Sequence, residues 1–581
     1  MAIIGIDLGT TNSLVSVWQN GQPVLIPNSL GEYLTPSVVG IDDKGNIITG
    51  KIAKERLISH PEKTAASFKR FMPYGNEIRF GPKSYSPAEI SSFLLRRLKE
   101  DAELFLGEPV EEAVISVPAY FDDNGRNATK LAGELAGLRV ERIVNEPSAA
   151  ALFCNYKAFE DKTILVFDFG GGTLDVSIVN IFDNIIEIEA VAGDNRLGGD
   201  DFNRLIAEHF CAQNGINADD LSAEQLAVLI KQAELCKIAL STRDKAAMAV
   251  NIRGEMKTLV LDNDTLYGIS QPLFKRVEAP IVRAIRDAMT DLDEIDEVIM
   301  VGGSSQMTVT RRFIRDLFNR EVMLSSSADT AVAKGAAIAA AIKERVEGIK
   351  NVILTDICPF TLGTGVHNRT NANRALYCPM IDRNSTLPAS VVRTFCNTQD
   401  NQEKIAVEIA QGEKPYLDQN LLLGKLELPI PKGPAGQVQI EIRFTYDING
   451  IIQVDVYIPS TEYRESKLII NSSNRMSKEE IKKRLKELDK IKIHPRDMEE
   501  NQLLLARAEA LYEETMGDLR DYIQSRANAF SAVLEKQRPN VIRNARAGLD
   551  AFLSEVERSL ANPFEGFDFS SRDDNYDEDE E

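Results

Sequence analysis

The sequence predicts a multidomain chain: an α/β region of two similar lobes, then an antiparallel β-sandwich, then a short α-helical segment. Three observations predict it. A strand–Asp–Gly/Thr turn–strand unit occurs twice, at Ile3 and again at Ile164. Period-two alternation of apolar residues takes over after Asp356, and a capping box followed by helical periodicity begins at Ser477.

The first unit runs Ile3-Ile4-Gly5-Ile6-Asp7-Leu8-Gly9-Thr10-Thr11, the second Ile164-Leu165-Val166-Phe167-Asp168-Phe169-Gly170-Gly171-Gly172-Thr173. Each is an apolar strand ending in Asp, a tight turn, and a second strand, Leu14 to Val17 and Leu174 to Val179. Such turns aim backbone N–H groups and hydroxyls into one small space, as a row of phosphate oxygens requires. Two of them grip a nucleotide from opposite sides, with Asp7 and Asp168 where a phosphate-bound Mg²⁺ and its waters must be held. A third Gly-rich turn, Gly302-Gly303-Ser304-Ser305 after the strand Val298 to Val301, suits a base or ribose, because glycine lets backbone approach a flat ligand. No Gly-x-x-x-x-Gly-Lys-Ser/Thr occurs, and Asp175 stands where a dinucleotide fingerprint needs its third glycine. Plain hairpins with positive-φ glycines are the bland alternative; recurrence of the whole Asp-x-Gly element argues against it.

From residue 1 to 348 strands such as Ala113 to Val117 and Glu297 to Val301 alternate with helical stretches at 200–212 and 330–346. At 581 residues the chain implies about three to five units, and an apolar share of 43% is enough for real cores. A net charge of −21 argues against a nucleic-acid partner, which needs clustered Lys and Arg. The six cysteines form no Cys-x-x-Cys pair, so neither a zinc knuckle nor a dithiol site is expected. A strand starting at Ala2 without a leader, and no apolar run of about eighteen residues, predict a cytoplasmic protein with no membrane contact.

Val352-Ile353-Leu354-Thr355-Asp356 marks a linker over 349–358, ahead of a sandwich over 359–472. Val438, Ile440, Ile442 and Phe444 alternate with polar residues, Asn449-Gly450 turns the chain, and Ile452, Val454, Val456 and Ile458 alternate back. Ser477-Lys478-Glu479-Glu480 caps a helix with Ile481, Leu485, Leu488 and Ile491 on one face. Pro495 and Pro539 punctuate further helices, 499–536 and 540–560, within a helical unit over 473–563. The tail, 564–581, reads as disordered: its last fourteen residues hold eight acidic side chains and one Arg.

This order of units, with Asn145-Glu146-Pro147-Ser148-Ala149-Ala150, Val117-Pro118-Ala119-Tyr120-Phe121, Gly302-Gly303-Ser304 and the two phosphate turns, resembles the DnaK-type heat-shock chaperone family. The short helical segment is most similar to the bacterial HscC branch. The resemblance implies an actin-like, ribonuclease-H-like ATPase domain, a peptide-binding sandwich and a helical lid. It implies ATP or ADP, Mg²⁺ and K⁺ as cofactors, slow hydrolysis coupled to binding of extended client polypeptides, and a J-domain cochaperone and nucleotide exchange factor as partners.

By the same resemblance Thr10, Thr11, Gly171, Gly172 and Thr173 take the phosphates, with Gly9 and Asn12 in the same turn, while Asp7, Asp168 and Asp175 organise Mg²⁺, K⁺ and water. Lys69 lies against the γ-phosphate and Glu146 orients the attacking water, making Lys69, Glu146, Asp168, Thr173 and Asp175 the implied catalytic set. Adenosine falls to Glu234, Lys237 and Ser241, whose spacing puts them on one helical face, opposite Gly302, Gly303, Ser304 and Asp329. Gln306 stands where many relatives have Arg over the adenine, so weaker nucleotide binding is expected.

Pro118 and Arg126 match the family's switch proline and relay arginine, acting with Val352, Ile353, Leu354 and Asp356, and Arg142 and Asn145 match a J-domain docking surface. Thr355 replaces an apolar linker residue, which predicts weaker docking through the linker, since burying an aliphatic side chain contributes about 1.5–3 kcal/mol. In the sandwich Phe395 and Ile405 match the central peptide pocket, and Thr398 and His367 match the arch over it, made more polar here. Two rivals fit less well: a small-molecule kinase has no use for a sandwich, and a non-cycling scaffold has no use for intact Asp7, Lys69, Glu146, Asp168 and Thr173.

Overall fold

The duplicated hairpin builds two sheets of the same order. The computed structural model describes residues 2–561 apart from 82, 157–159, 183–184, 253, 321, 325–327, 348, 350–351, 369–373, 448–450 and 470–494. The Asn449-Gly450 turn, the capping box at Ser477 with its helix, and the acidic tail lie outside the described residues.

In the first sheet Ile3–Asp7 lies between Glu112–Val117, in parallel, and its hairpin partner Asn12–Gln19. In the second, Lys162–Phe169 lies likewise between Glu297–Val301, in parallel, and Leu174–Phe182. These strands are apolar runs because helices cover both faces of the sheets. Each lobe has its own core, one around Ile4, Val15, Leu94 and Phe121, the other around Phe167, Phe202, Phe274 and Met300.

A third core joins the lobes through two small-residue helices, Glu146–Asn155 and Ala331–Lys343. Small residues are required there. A Cβ on Gly335 would run into the backbone of Ala149, and one on Gly5 would come 2.8 Å from Ala337 Cα. The strand Ile3–Asp7, the helix opened by Glu146 and the interlobe helix therefore pack backbone against backbone, and side-chain volume added at this contact displaces all three.

The described residues of the linker include a strand. Ile353–Thr355 pairs in parallel with Ile185, Ile186 and Glu187, adding an outer strand to the second sheet. Val352 is buried and Leu354 packs against the interlobe core, while Ile353 is 55% exposed. Backbone pairing carries this contact, and a Thr at 355 takes part in it as an apolar residue would.

Two four-stranded antiparallel sheets form the sandwich, in the order Leu376–Ile381, Leu362–Val366, Lys404–Gln411, Leu421–Pro429 and Ala389–Cys396, Gln439–Tyr446, Ile452–Ile458, Tyr463–Ile469. Both expected alternating sets point inward: Val438, Ile440, Ile442, Phe444, Ile452, Val454, Val456 and Ile458 are all buried in one core.

The helix expected over 499–536 is two helices, Glu499–Glu514 and Asp518–Lys536. Gly517 between them has φ 63°, which glycine adopts without penalty, and Thr515 is extended, so helical hydrogen bonding stops there. With Pro539–Ala561 these helices form a bundle around Leu511, Phe530, Leu549 and Phe552.

Candidate functional site

The two phosphate turns meet at the floor of a cleft between the lobes. A Cβ on Gly171 would strike the Thr11 hydroxyl, and one on Gly172 would lie 2.5 Å from Thr10 Cγ2, so only glycine lets the hairpins approach this closely. Asp7, Gly9, Thr10, Thr11, Asn12, Lys69, Glu146, Asp168, Gly171 and Thr173 line one cavity. Glu234, Lys237, Ser241, Gly302, Gly303, Ser304 and Asp329 line the same cavity at its other end. Gly172 and Asp175 do not open onto it. Gly172 backs the floor, its carbonyl accepting from Arg70 Nε at 2.9 Å, and Asp175 is sealed beneath.

Lys69 is 2% exposed and ion-paired with the equally buried Glu146. Asp7 accepts from Ser116 Oγ at 3.0 Å, and Asp175 Oδ1 from the Tyr120 N–H at 2.9 Å. Burial, reinforced by the Glu146 charge, lifts Asp7 and Asp175 to about 7 and pushes Asp168 well above the carboxylate range; Lys69 opposes all three. Thr11 Oγ1 and Asp175 Oδ2 are buried without a protein partner. Among the described residues no three acidic, His or Cys side chains stand close enough to cage a metal directly. Excess buried carboxylate with an orphaned oxygen, and no direct cage, fits a hydrated cation held chiefly by phosphate.

At the other end of the cavity, Lys237 donates to the Gly199 carbonyl at 3.0 Å, and burial lowers its pKa. Gly302 has φ 83°, and Ser304 Oγ donates to the Gly170 carbonyl at 2.7 Å, tying the third Gly turn to the second. Gln306 Nε2 donates to Asp329 Oδ2 at 2.6 Å, so this side chain is committed to the wall of the pocket. Lys54 of the first lobe pairs with Glu234 of the second at 3.4 Å across the mouth.

His367, Phe395, Thr398 and Ile405, far apart in sequence, line a second cavity of about 720 Å³ in the sandwich. Phe395 and Ile405 are half-buried and pack on the sandwich core; His367 is exposed at the rim. The Thr398 N–H donates to Gln402 Oε1 at 2.9 Å and its hydroxyl to the same atom at 3.4 Å, which pins the rim.

The junction between the two lobes and the sandwich is polar and dense. Arg126 donates to the carbonyls of Phe121 and Ala119 and, at 2.6 Å, to Asn145 Oδ1, while Asn145 Nδ2 donates to Asp356 Oδ1 at 2.6 Å. Asn145 is 1% exposed, so in this arrangement it offers no docking surface; the half-buried Arg142 lies in the field of Asp356. The Pro118 carbonyl closes the turn whose Tyr120 packs at a tilt against Phe360 of the sandwich, centroids 4.5 Å apart. Arg383 forks onto Asp287 at 2.7 and 2.8 Å, and the Asp123 N–H donates to Gln411 Oε1 at 2.9 Å.

Sequence reasoning missed Asp200, which lines the interlobe cavity and accepts from Ser67 Oγ at 2.8 Å, and Arg70, which ties Gly172 to Asp201. Gly198-Gly199-Asp200-Asp201 at a helix start was the available signal: Gly198 packs against the Gly171 backbone. No sequence pattern marks Asp287, Arg383 or Gln411, whose partners lie in another domain, and the motif that holds Tyr120 does not show its partner.

A family model described as Hsp70 protein matches residues 3–561. The chain is 37% identical over 565 residues to Chaperone protein DnaK of Thermotoga neapolitana, covering 94% of this chain and 93% of that protein. The same identity and coverage hold for the proteins of that name from Thermotoga petrophila and Thermotoga maritima. Among the described residues no helix is long and apolar enough to cross a membrane.

Proposed function

The chain belongs to the Hsp70 family and is an ATP-dependent chaperone with ATPase activity, and we propose that the residues described above are the two coupled sites of its cycle. The observation that carries the proposal is the direct bonding of one segment to both ends: Glu146 pairs with Lys69 in the nucleotide cavity, and Asn145 beside it bonds Asp356 of the linker.

In this reading Lys69 stabilises charge developing on the transferring phosphoryl group, and Glu146 orients water toward it. Thr10, Thr11, Gly171 and Thr173 hold the phosphates, with Gly172 backing the turn from beneath; the orphaned Thr11 hydroxyl supports this. Asp7 and Asp168 hold the waters of Mg²⁺ and K⁺, which neutralise phosphate charge when bound, and Asp175 adds its charge from beneath the floor. Glu234, Lys237, Ser241, Gly302, Gly303, Ser304 and Asp329 hold the nucleoside.

An extended client segment lies in the sandwich cavity, its side chains on Phe395 and Ile405 under His367 and Thr398. Pro118, Arg126, Val352, Ile353, Leu354 and Asp356 carry the nucleotide state to it. The partly exposed Arg142 marks where a J-domain cochaperone docks; Asn145 contributes through Asp356. A nucleotide exchange factor, an HscC-like lineage suggested by the short bundle, and a bacterial cytoplasmic location complete the proposal.

The test is release of a fluorescent apolar peptide from the purified protein, in ADP and after adding ATP with Mg²⁺ and K⁺. Faster release with ATP is expected; an unchanged rate would overturn the coupling.

A further inference from the structure

Each carbonyl of the run Gly170-Gly171-Gly172, in the second phosphate turn, accepts a bond from a protein donor. Gly170 O takes the Gly199 N–H at 3.1 Å and Ser304 Oγ at 2.7 Å, and Gly171 O takes the Asp200 N–H at 2.8 Å. All of these donors belong to the second lobe, two of them to the start of the helix Gly199–Gln213. Gly172 O differs. Its donor is Arg70 Nε at 2.9 Å, and Arg70 sits in the short turn Phe68–Phe71 of the first lobe.

The direction a carbonyl faces decides where the next N–H points. In a trans peptide the two are antiparallel, so a carbonyl held on one side sends the following N–H to the other. The Gly172–Thr173 bond is trans. Thr173 lines the nucleotide cavity and Arg70 does not, so the Arg70 bond turns the Thr173 N–H toward the phosphates. Glycine does not fix this choice by itself, because a residue without Cβ lets the peptide rotate either way at little cost. The flipped form would present a carbonyl oxygen to phosphate charge, where a row of N–H groups is needed.

Arg70 is held firmly enough to decide it. Its Nη2 donates to Asp201 Oδ2 at 2.5 Å, an atom that also accepts from the Gly198 N–H at 2.9 Å, and the pair is largely buried. Alongside, Ser67 Oγ donates to Asp200 Oδ2 at 2.8 Å. Between these two anchors stands Lys69, paired with Glu146. One short turn of the first lobe thus carries the ammonium that faces the transferring group and the guanidinium that sets the opposite phosphate turn.

We propose that Arg70 is a positioning residue for ATP hydrolysis: it orients the Gly172–Thr173 peptide so that the Thr173 N–H faces the transferring phosphoryl group. Both of its acceptors lie across the cleft, so this donor is set only when the lobes close, and the chemical step is tied to closure. The Gly170 and Gly171 carbonyls are set by the second lobe alone, so nucleotide binding survives without Arg70. The proposal rests on the nucleotide reading above.

The experiment compares single-turnover ATP hydrolysis and ADP affinity in full-length wild type, Arg70→Ala and Lys69→Ala. Arg70→Ala slows the chemical step by about ten- to a hundredfold, short of outright loss of a preorganised donor, while the ADP Kd moves by less than about threefold. Methylguanidinium added to Arg70→Ala restores part of the rate, and methylammonium, of equal charge but without the planar fork, does not. Where the truncation does not fold, Arg70→Lys takes its place and is slowed severalfold at unchanged ADP affinity. A wild-type rate, equal losses of rate and affinity, or equal rescue by the two cations would each overturn the role. Slow Lys69→Ala beside unaffected Arg70→Ala removes the Arg70 role alone, whereas full turnover in both removes the nucleotide reading with it.

Discussion

Asn145 donates its side-chain amide to Asp356 Oδ1 at 2.6 Å, while Glu146, the next residue, is ion-paired with Lys69. The boundary between the strand Ile143–Asn145 and the helix Glu146–Asn155 sends adjacent side chains to opposite ends of the machine. Asp356 is enclosed, and burial raises its pKa against the pull of Arg126, Arg142 and Asn145. Losing one partner leaves the others short.

Asn145→Leu is therefore expected to abolish ATP-accelerated peptide release while retaining most single-turnover hydrolysis, since it removes the Asp356 bond and leaves Lys69–Glu146 in place. Stopped-flow release and single-turnover assays on the same preparation check this. Parallel loss of both activities would mean the segment is only structural.

Lys69→Ala is expected to cut turnover by roughly 10²–10³-fold, the usual cost of removing one preorganised stabilising group. It also leaves Glu146 buried and unpaired, a loss of about 3–5 kcal/mol in nucleotide-free protein. Thermal unfolding with and without Mg-ADP separates the two effects.

Stability of the protein without nucleotide or divalent cation should fall as pH rises from about 4 to about 7. Asp7 and Asp175 sit near 3.8 when unfolded and are raised to about 7 by burial when folded. The folded state therefore holds more protons between those values, and stability is highest below the unfolded value and lost as pH climbs through the folded one. Mg-ADP affinity should rise over the same range, because binding requires the ionised carboxylates. Melting curves from pH 5.5 to 8 in chelator and in Mg-ADP read both trends, and a flat chelator series would contradict the assignment.

Phe395→Ala should weaken binding of an apolar peptide by roughly 1.5–3 kcal/mol, on the order of tenfold to a hundredfold, with no change in nucleotide affinity. Anisotropy titrations in ADP measure it. An unaltered peptide Kd would place the client elsewhere on the sandwich.

Arg543 of the last helix pairs with Glu187 at 2.7 Å and Glu189 at 3.3 Å in the second lobe, while Gln537 bonds both backbone groups of Val392 at the sandwich edge. Arg543→Glu sets three carboxylates together and should release the bundle from the lobe. Resonance energy transfer between dyes on bundle and lobe, in ATP, should drop; undiminished transfer would mean that backbone and apolar contacts hold the bundle.

Local pattern carried a large part of these results. The Asp-x-Gly repeat, the glycine turn at Gly302 and the alternation from Val438 to Ile458 were legible because a phosphate turn or an inward-facing strand has to be spelled out in consecutive residues. The break at Gly517 was written in the sequence too, and continuous helical periodicity hid it. Asp200 was passed over because its helix start reads as an ordinary cap until Gly198 is seen against Gly171.

The sequence by itself determined the elements, their order and the chemistry of each turn, since those depend on propensities and spacings within about a dozen residues. Tertiary structure alone decided that Asn145 is buried on the linker and not offered to a partner, that Ile353–Thr355 becomes a sheet strand, and that Arg383 reaches Asp287. Those are pairings between segments 96 or more residues apart, and their energies come from burial and charge geometry that exist only once the lobes, the linker and the sandwich have packed together.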